Sequence, residues 1–302
     1  MSPAVRVLER VVCQAPFGLR LWDPATATQQ VPGLQIDLSP LARPGQRVRA
    51  LVNPSGVYCA LGLPGLAAFE RADADAPADW TAALRGFRVQ ILDPAGRYLP
   101  LAFDAALPHQ GLFDPGLSGS PLPGPFPLPE SPPASPPATA LPRVTLFSAP
   151  SRPVPGGLAA VRAQLWETPA GRPAAWCLLA ATIDGVTRGL GLADREGRVL
   201  ILFPYPARPR PTLTSPPSPK NDFSWTLTLT AYYRPRPTGV PVPAIPDLAD
   251  LQAQLASPRM LLGSLSPPQP LPPLPLEYAV PLTARTSATP VEESSYLFVD
   301  AT

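Results

Sequence analysis

Gly189-Leu190-Gly191-Leu192-Ala193-Asp194-Arg195-Glu196-Gly197-Arg198-Val199-Leu200-Ile201-Leu202-Phe203-Pro204 is the stretch on which the fold class turns. An apolar run ends at Asp194, and Asp194-Arg195-Glu196-Gly197 is a turn signature. The Asp side-chain oxygen opens such a turn, and a Gly three positions later supplies the positive φ. Arg198–Phe203 then resumes as the strongest strand in the chain, and Pro204 closes it. Strand, tight turn and strand in sixteen residues is the local mark of antiparallel β-structure.

The same style extends in both directions. Leu158–Trp166 alternates, with Val161, Ala163 and Leu165 on one face. Ala174–Ile183 is a more continuous apolar strand, Asp184-Gly185 a hairpin signal, and Thr187–Ala193 the return. Phe223–Tyr233 alternates with aromatic and β-branched residues. Residues 143–235 therefore predict one β-sandwich. Residues 1–112 predict another, from Gly18–Trp22, Gly33–Leu38, the pair Arg47–Val52 and Val57–Leu63 around Asn53-Pro54-Ser55-Gly56, and the pair Phe87–Leu92 and Tyr98–Phe103 around Asp93-Pro94-Ala95-Gly96. Asp79–Leu84 reads as a short helical turn.

The two blocks share an order of signals. Trp22-Asp23 precedes Gly56 by 34 residues from the Trp, and Trp166-Glu167 precedes Gly197 by 31. A Pro follows the turn Gly by 8 residues in one block and 7 in the other. Internal duplication is the favoured reading, with two unrelated β-blocks joined by ordinary hairpins as its rival.

Composition agrees with an all-β chain. Proline occupies 49 of 302 positions, about three times its ordinary share, and an interior proline costs a helix roughly 3 kcal/mol. The 45% apolar content and net charge of +2 are not the profile of a disordered chain. Charged residues are only 15%, a surface that calls for coverage by partner subunits or by a second copy. Scattered basic residues, all arginine but Lys220, lack the footprint of a nucleic-acid binder. The longest apolar run, Ala174–Ile183, is half a membrane span, so no direct membrane insertion is expected. Cys13, Cys59 and Cys177 sit apart among apolar residues and read as buried reduced thiols of a cytoplasmic protein.

Eleven prolines fall between Pro115 and Pro142, so residues 113–142 are expected to be an extended linker joining the two sandwiches. Residues 236–302 are expected to be an extended C-terminal arm. It would carry one short helix over Asp247–Ala256, capped by Asp247 after Pro246, and terminal strands over Glu277–Arg285 and Ser295–Val299.

No catalytic, cofactor or metal site is predicted. His109 is the one histidine, in a loop without an orienting acid. Asp73, Asp75 and Asp79 are spaced by alanines, but Ala76 and Pro77 stand where a calcium loop needs other residues. Gly189, Gly191 and Gly197 lack a phosphate-loop context and are ascribed to hairpin flexibility. Trp22, Trp80, Trp166, Trp176 and Trp225 read as core in preference to a carbohydrate platform. Pro125–Pro137 reads as a spacer or docking arm in preference to a ligand for a polyproline-binding domain.

Gly189–Pro204, with Asn53 to Pro64 as its weaker counterpart, resembles the carboxypeptidase-regulatory-like domain, a transthyretin-like (Ig-like) β-sandwich. That resemblance implies a non-catalytic structural or adhesive module. Pro16–Asp23, Asn53–Tyr58, Asp93–Pro100 and Leu202–Pro206 are similar to stretches of proteins found with phage-tail-like contractile injection systems. The implied function is a non-enzymatic structural subunit of such a particle, a baseplate or tail-end component. It would dock on other subunits through its Pro-rich arms, with Ser295–Val299 adding to a neighbour's sheet. The alternative is a surface or adhesion module that binds glycan or protein through sandwich loops.

Overall fold

The computed structural model describes residues 14–29, 31–71, 84–114, 142–206, 223–237, 239–287 and 294–301. These are mostly β-structure with two short helices, as the proline content requires. The first unit contains β1 (Phe17–Trp22), β2 (Gln35–Pro40), β3 (Val48–Arg49), β4 (Leu51–Val52), β5 (Val57–Ala60), α1 (Ala67–Glu70), β6 (Arg85–Leu92), β7 (Leu101–Leu107) and β8 (Val144–Thr145). They form two four-stranded sheets, β4-β5-β1-β8 and β3-β2-β6-β7. All of the short helical turn expected over Asp79–Leu84 except Leu84 lies outside the described residues.

The second unit contains β9 (Leu158–Thr168), β10 (Arg172–Pro173), β11 (Leu178–Ile183), β12 (Val186–Leu192), β13 (Arg198–Pro204), β14 (Ser224–Tyr232), α2 (Leu248–Gln254), β15 (Pro258–Arg259), β16 (Leu262–Leu265), β17 (Pro268–Pro270), β18 (Leu274–Glu277), β19 (Leu282–Thr283) and β20 (Leu297–Asp300). One sheet is β10-β9-β13, with β19 and β20 also on β9; the other is β12-β11-β14-β15, with β18 also on β14. β16 and β17 form a separate hairpin.

Seven strands of each unit recur in the same order. β5-β1-β8 corresponds to β13-β9-β20, and β3-β2-β6-β7 to β12-β11-β14-β18. The register agrees residue by residue. In the first unit Arg20 faces Val57, the residue after the turn glycine, and Trp22 follows two positions on. In the second, Gln164 faces Arg198, again the residue after the turn glycine, and Trp166 follows two positions on. The last strand of each unit pairs parallel to the first at equivalent positions, Leu21 with Val144 and Leu165 with Leu297.

This closure corrects two expectations. The segment 113–142 does not join the units, because both of its ends belong to the first. Phe113 donates its N–H to the Gly18 carbonyl at 2.7 Å, and Leu146 donates to that of Trp22 at 2.9 Å. Residues 143–152, expected in the second block, complete the first: Val144, Leu146 and Phe147 are in its core. The joint is the short Pro153–Gly157. Nor are residues 236–302 an extended arm. β15 and β18 pair with β14, and β19 and β20 pair with β9. Ser295–Val299 thus supplies its edge to its own sheet and not to a neighbour's. Local patterning cannot show a partner that lies more than a hundred residues upstream.

Three turns share one design: those at Asn53 and Asp93 close the β4–β5 and β6–β7 hairpins, whereas the one at Asp194, expected to close a hairpin, carries the chain from β12 in one sheet to β13 in the other. Asn53 Oδ1 accepts the N–H groups of Ser55 and Val57 at 3.0 and 2.9 Å, and Asp194 Oδ1 those of Glu196 and Arg198 at 3.0 and 2.8 Å. Asp93 accepts those of Ala95 and Arg97 at 3.1 and 2.7 Å. The glycine of each turn has positive φ, 76° at Gly56, 65° at Gly96 and 78° at Gly197. Gly189 and Gly191 have a different cause from the hairpin flexibility expected of them. A Cβ at Gly189 would stand 2.6 Å from Ile201 Cγ2, and one at Gly191 2.7 Å from Val199 Cγ2. They let β12 of one sheet close onto β13 of the other.

The units share apolar packing. The core of the first continues into Ala175, Trp176, Leu178 and Leu192 of the second and into Leu248 and Leu251 of α2. Asp247 caps α2 as the sequence predicts, accepting the Ala249 N–H at 2.8 Å. The same carboxylate ion-pairs with Arg88 of β6, and Ala102 of β7 donates to the Pro246 carbonyl at 3.0 Å. Trp176, 2% exposed, donates Nε1–H to the Pro243 carbonyl at 3.1 Å, and its own carbonyl accepts from Gln254 at 3.3 Å. α2 and Trp176 therefore tie the two units together.

Candidate functional site

The most polar buried groups sit at matching corners of the two units. Asp23 follows β1 and is 1% exposed. It holds Arg152 at 2.6 and 3.1 Å, accepts the Tyr98 hydroxyl at 2.8 Å, and accepts Ala25 N–H and the Thr26 hydroxyl. Burial alone raises the Asp23 carboxyl, but the hydrogen bonds and charge of Arg152, with Thr26 and Tyr98, outweigh it and hold the group below its ordinary value. Burial and the Asp23 charge push the Tyr98 hydroxyl up. In the second unit Glu167 accepts Arg172 Nε–H at 2.8 Å and the Tyr233 hydroxyl at 2.9 Å. Burial and Glu167 raise the Tyr233 hydroxyl in the same way. Each acid is saturated by donors from its own neighbourhood. Chemically this is a locked corner in which a buried charge is paired. Sequence reading noted the Trp-acid dipeptides as repeat markers and missed their partners.

Among the described residues, those weighed from sequence do not converge. His109 lies in the turn after β7, donates its backbone N–H to the Pro16 carbonyl at 2.9 Å, and packs its ring edge-on against Phe113 with centroids 5.3 Å apart. Asp73, Asp75, Asp79, Trp80 and Cys13 lie outside the described residues, as does Pro125–Pro137. Trp22 and Trp176 are core, with Arg143 stacked 4.1 Å above the Trp22 ring. Trp166 and Trp225 are half-buried, covered by Tyr296 at 4.5 Å and Tyr205 at 5.4 Å. Cys177 is buried and Cys59 half-buried, and burial pushes both thiols up, away from thiolate chemistry. Among the described residues no group of three His, Cys, Asp or Glu gathers to hold a metal ion, and no helix is long and apolar enough to cross a membrane.

What the surface does present is a cleft of about 230 Å³ beside the joint between the units, lined by Pro155, Leu158, Tyr205, Tyr278 and Pro281 with Gly156-Gly157. Tyr205 is its pivot. Its ring packs 4.9 Å from Tyr278 and 5.4 Å from Trp225, and its hydroxyl accepts the Ala279 N–H at 2.9 Å. Ala279 holds a φ of 62°, a left-handed conformation unusual for a residue with a Cβ, and so turns Tyr278 into the cleft wall. No lining side chain is charged. Tyr278 is 39% exposed and Val154 36%. A neutral concave surface of tyrosine and proline suits an extended apolar peptide. On the first unit, Leu51, Val52 and Leu61 are exposed near the edge formed by β4, Leu51 at 72%. Comparison with known protein families, with curated proteins and with solved structures finds no match.

Proposed function

We propose that the chain is a non-enzymatic structural subunit of a phage-tail-like contractile injection particle, assembled in the cytoplasm as a baseplate or tail-end component. One observation carries this reading. A duplicated sandwich is fused over a shared core, and a Pro-rich excursion leaves from a unit whose last strand returns to close it. Such a body offers a fixed geometry to its neighbours, as a particle subunit needs. The resemblance supports it as well: its stretches fall on β1, on two of the three Asx-type turns and on the end of β13. Since residues after 236 belong to the second sandwich, docking on neighbours falls to residues 115–141. The test is affinity purification of the tagged chain from its native cells followed by negative-stain microscopy. Tail-like particles in the eluate are the expected result. A chain that elutes free of particles from cells that make them would overturn the reading. Binding of the purified chain to a glycan array would turn it toward an adhesion module.

A further inference from the structure

Within the chain, the first unit seats a turn on the second unit's sheet. Leu200 and Leu202, on the outward face of β13, are buried and pack with Ala160 of β9 against Ala25 of the first unit. Arg162 of β9 donates to the Pro150 carbonyl of the first unit at 2.9 Å. Ala25 lies in the turn that follows Trp22-Asp23. The turn behind the acidic corner of one unit thus covers the β13-β9 face of the other.

Duplication supplies both pieces of this contact a second time, and leaves them apart. By the shared register, Cys59 of β5 stands where Leu200 does, and Leu61, just past β5, where Leu202 does. Leu51 of β4 lies beside Cys59. These positions stay apolar, yet Leu51 is 72% and Leu61 48% exposed, with Cys59 half-buried. Such an exposed apolar face marks an interaction surface. The turn behind the second acidic corner, Thr168-Pro169-Ala170-Gly171, carries no charge and exposes Pro169, Ala170 and Gly171.

We propose that a second copy of the chain seats its Thr168–Gly171 turn on the face formed by Leu51, Cys59 and Leu61, repeating between chains the contact that Ala25 makes within one. The shared core fixes the two units against one another, and both open pieces are exposed in the single chain, so only another copy brings them together. Gly18 stands where Arg162 does, so the contact lacks that hydrogen bond and rests on apolar burial. A turn that meets a different surface makes the contact heterologous, and copies add into rings or stacks instead of closed two-fold dimers. Self-association of this kind goes beyond the particle reading and stands or falls without it.

The experiment is sedimentation velocity of the full chain over a micromolar concentration series, beside Leu51→Asp and Ala170→Asp variants. Both positions are exposed, and a melting curve of each variant is checked first. The expected wild-type chain sediments faster as concentration rises and grows past the dimer. Either substitution puts a carboxylate into the contact without a partner and weakens self-association at least about tenfold. Mixed in equal amounts, the two variants form a one-to-one dimer and grow no further, because the intact turn of the Leu51→Asp chain fits the intact face of the Ala170→Asp chain. That recovery also shows both variants to be folded. A wild-type chain that stays monomeric overturns the proposal, as does association that survives either substitution. Variants that lose association alone and do not recover it when mixed overturn it too.

Discussion

Removing residues 294–302 should destabilise the second unit, although sequence patterning marks them as the tip of an arm. β20 pairs with β9 over Leu297–Asp300. Leu297 and Val299 are each 0% exposed, and full burial of two such side chains stabilises by about 3–6 kcal/mol. Tyr296 stacks on Trp166 at 4.5 Å, which adds roughly 0.5–1.5 kcal/mol. Phe298 N–H donates to the buried Thr286 hydroxyl at 2.9 Å, so the truncation also strips a partner from a group sealed from water. The loss is about 4–7 kcal/mol, a large part of a domain's total of roughly 5–15 kcal/mol. For units of this size it lowers Tm by about 10–25 °C. Scanning calorimetry of the full and truncated chains measures the shift, and Leu297→Ala, at about 2–5 kcal/mol, gives a milder version that keeps the backbone. If the truncated chain melts within the roughly 2–4 °C that 1 kcal/mol represents, β20 is not an integral strand and the reasoning fails.

Replacing residues 116–140 by a short Gly-Ser link should leave Tm unchanged, because both ends of that excursion are fixed on β1; a large drop in calorimetry would place the segment in the core. Trp176→Ala should cost about 3–5 kcal/mol and split one melting transition into two, since Trp176 lies where the packing of the two units meets; a single unshifted transition counts against that role. Arg152→Ala strands the Asp23 carboxylate and should cost about 3–5 kcal/mol. The Asp23 carboxyl is depressed in the folded chain, so its stabilisation is complete above the unfolded value near 4 and is lost as pH falls through the folded value. Asp23→Asn should therefore flatten the acid side of a urea-midpoint profile between about pH 2 and 5, and an unchanged slope would refute the coupling. Gly189→Ala drives a Cβ to 2.6 Å from Ile201 and should destabilise by about 1–3 kcal/mol; a neutral urea midpoint would show that β12 stands off from β13.

The parts of this fold legible in sequence are those whose cause is local. Asn53, Asp93 and Asp194 announce their turns because each oxygen reaches N–H groups two and four residues on. The helix at Leu248 was equally visible from its cap. The closing strands were not. β8 is only two residues long, and parallel pairing to β1 across more than a hundred residues leaves no periodic trace. The corners show the same limit. Trp22-Asp23 and Trp166-Glu167 were visible as a repeated dipeptide. Their partners lie 129 and 75 residues from Asp23 and 5 and 66 from Glu167, separations that share no spacing rule. The glycines of β12 carried a signal that pointed the wrong way, because close approach across a sandwich and freedom in a hairpin both call for the same residue.

The duplication gives a place to the first unit's longest proline run. In each unit the chain leaves the two sheets after the strand that edges β6 or β14, and returns to lie parallel to the first strand. A proline that stands outside a paired strand removes no ladder hydrogen bond, so its missing N–H costs little there. The first unit makes that excursion between Leu107 and Val144 and places eleven prolines in it from Pro115 to Pro142. The second makes it between Glu277 and Leu297 and lays β19 against β9 on the way. Pro40, Pro173, Pro204 and Pro258 stand at strand ends, and Pro275 lies inside β18, which pairs with β14 alone, the positions that tolerate proline. A repeat built this way accepts length at one fixed place without disturbing its core. That place in the first unit is where the sequence is most unlike a folded domain, so reach could be added there while both sandwiches kept their register.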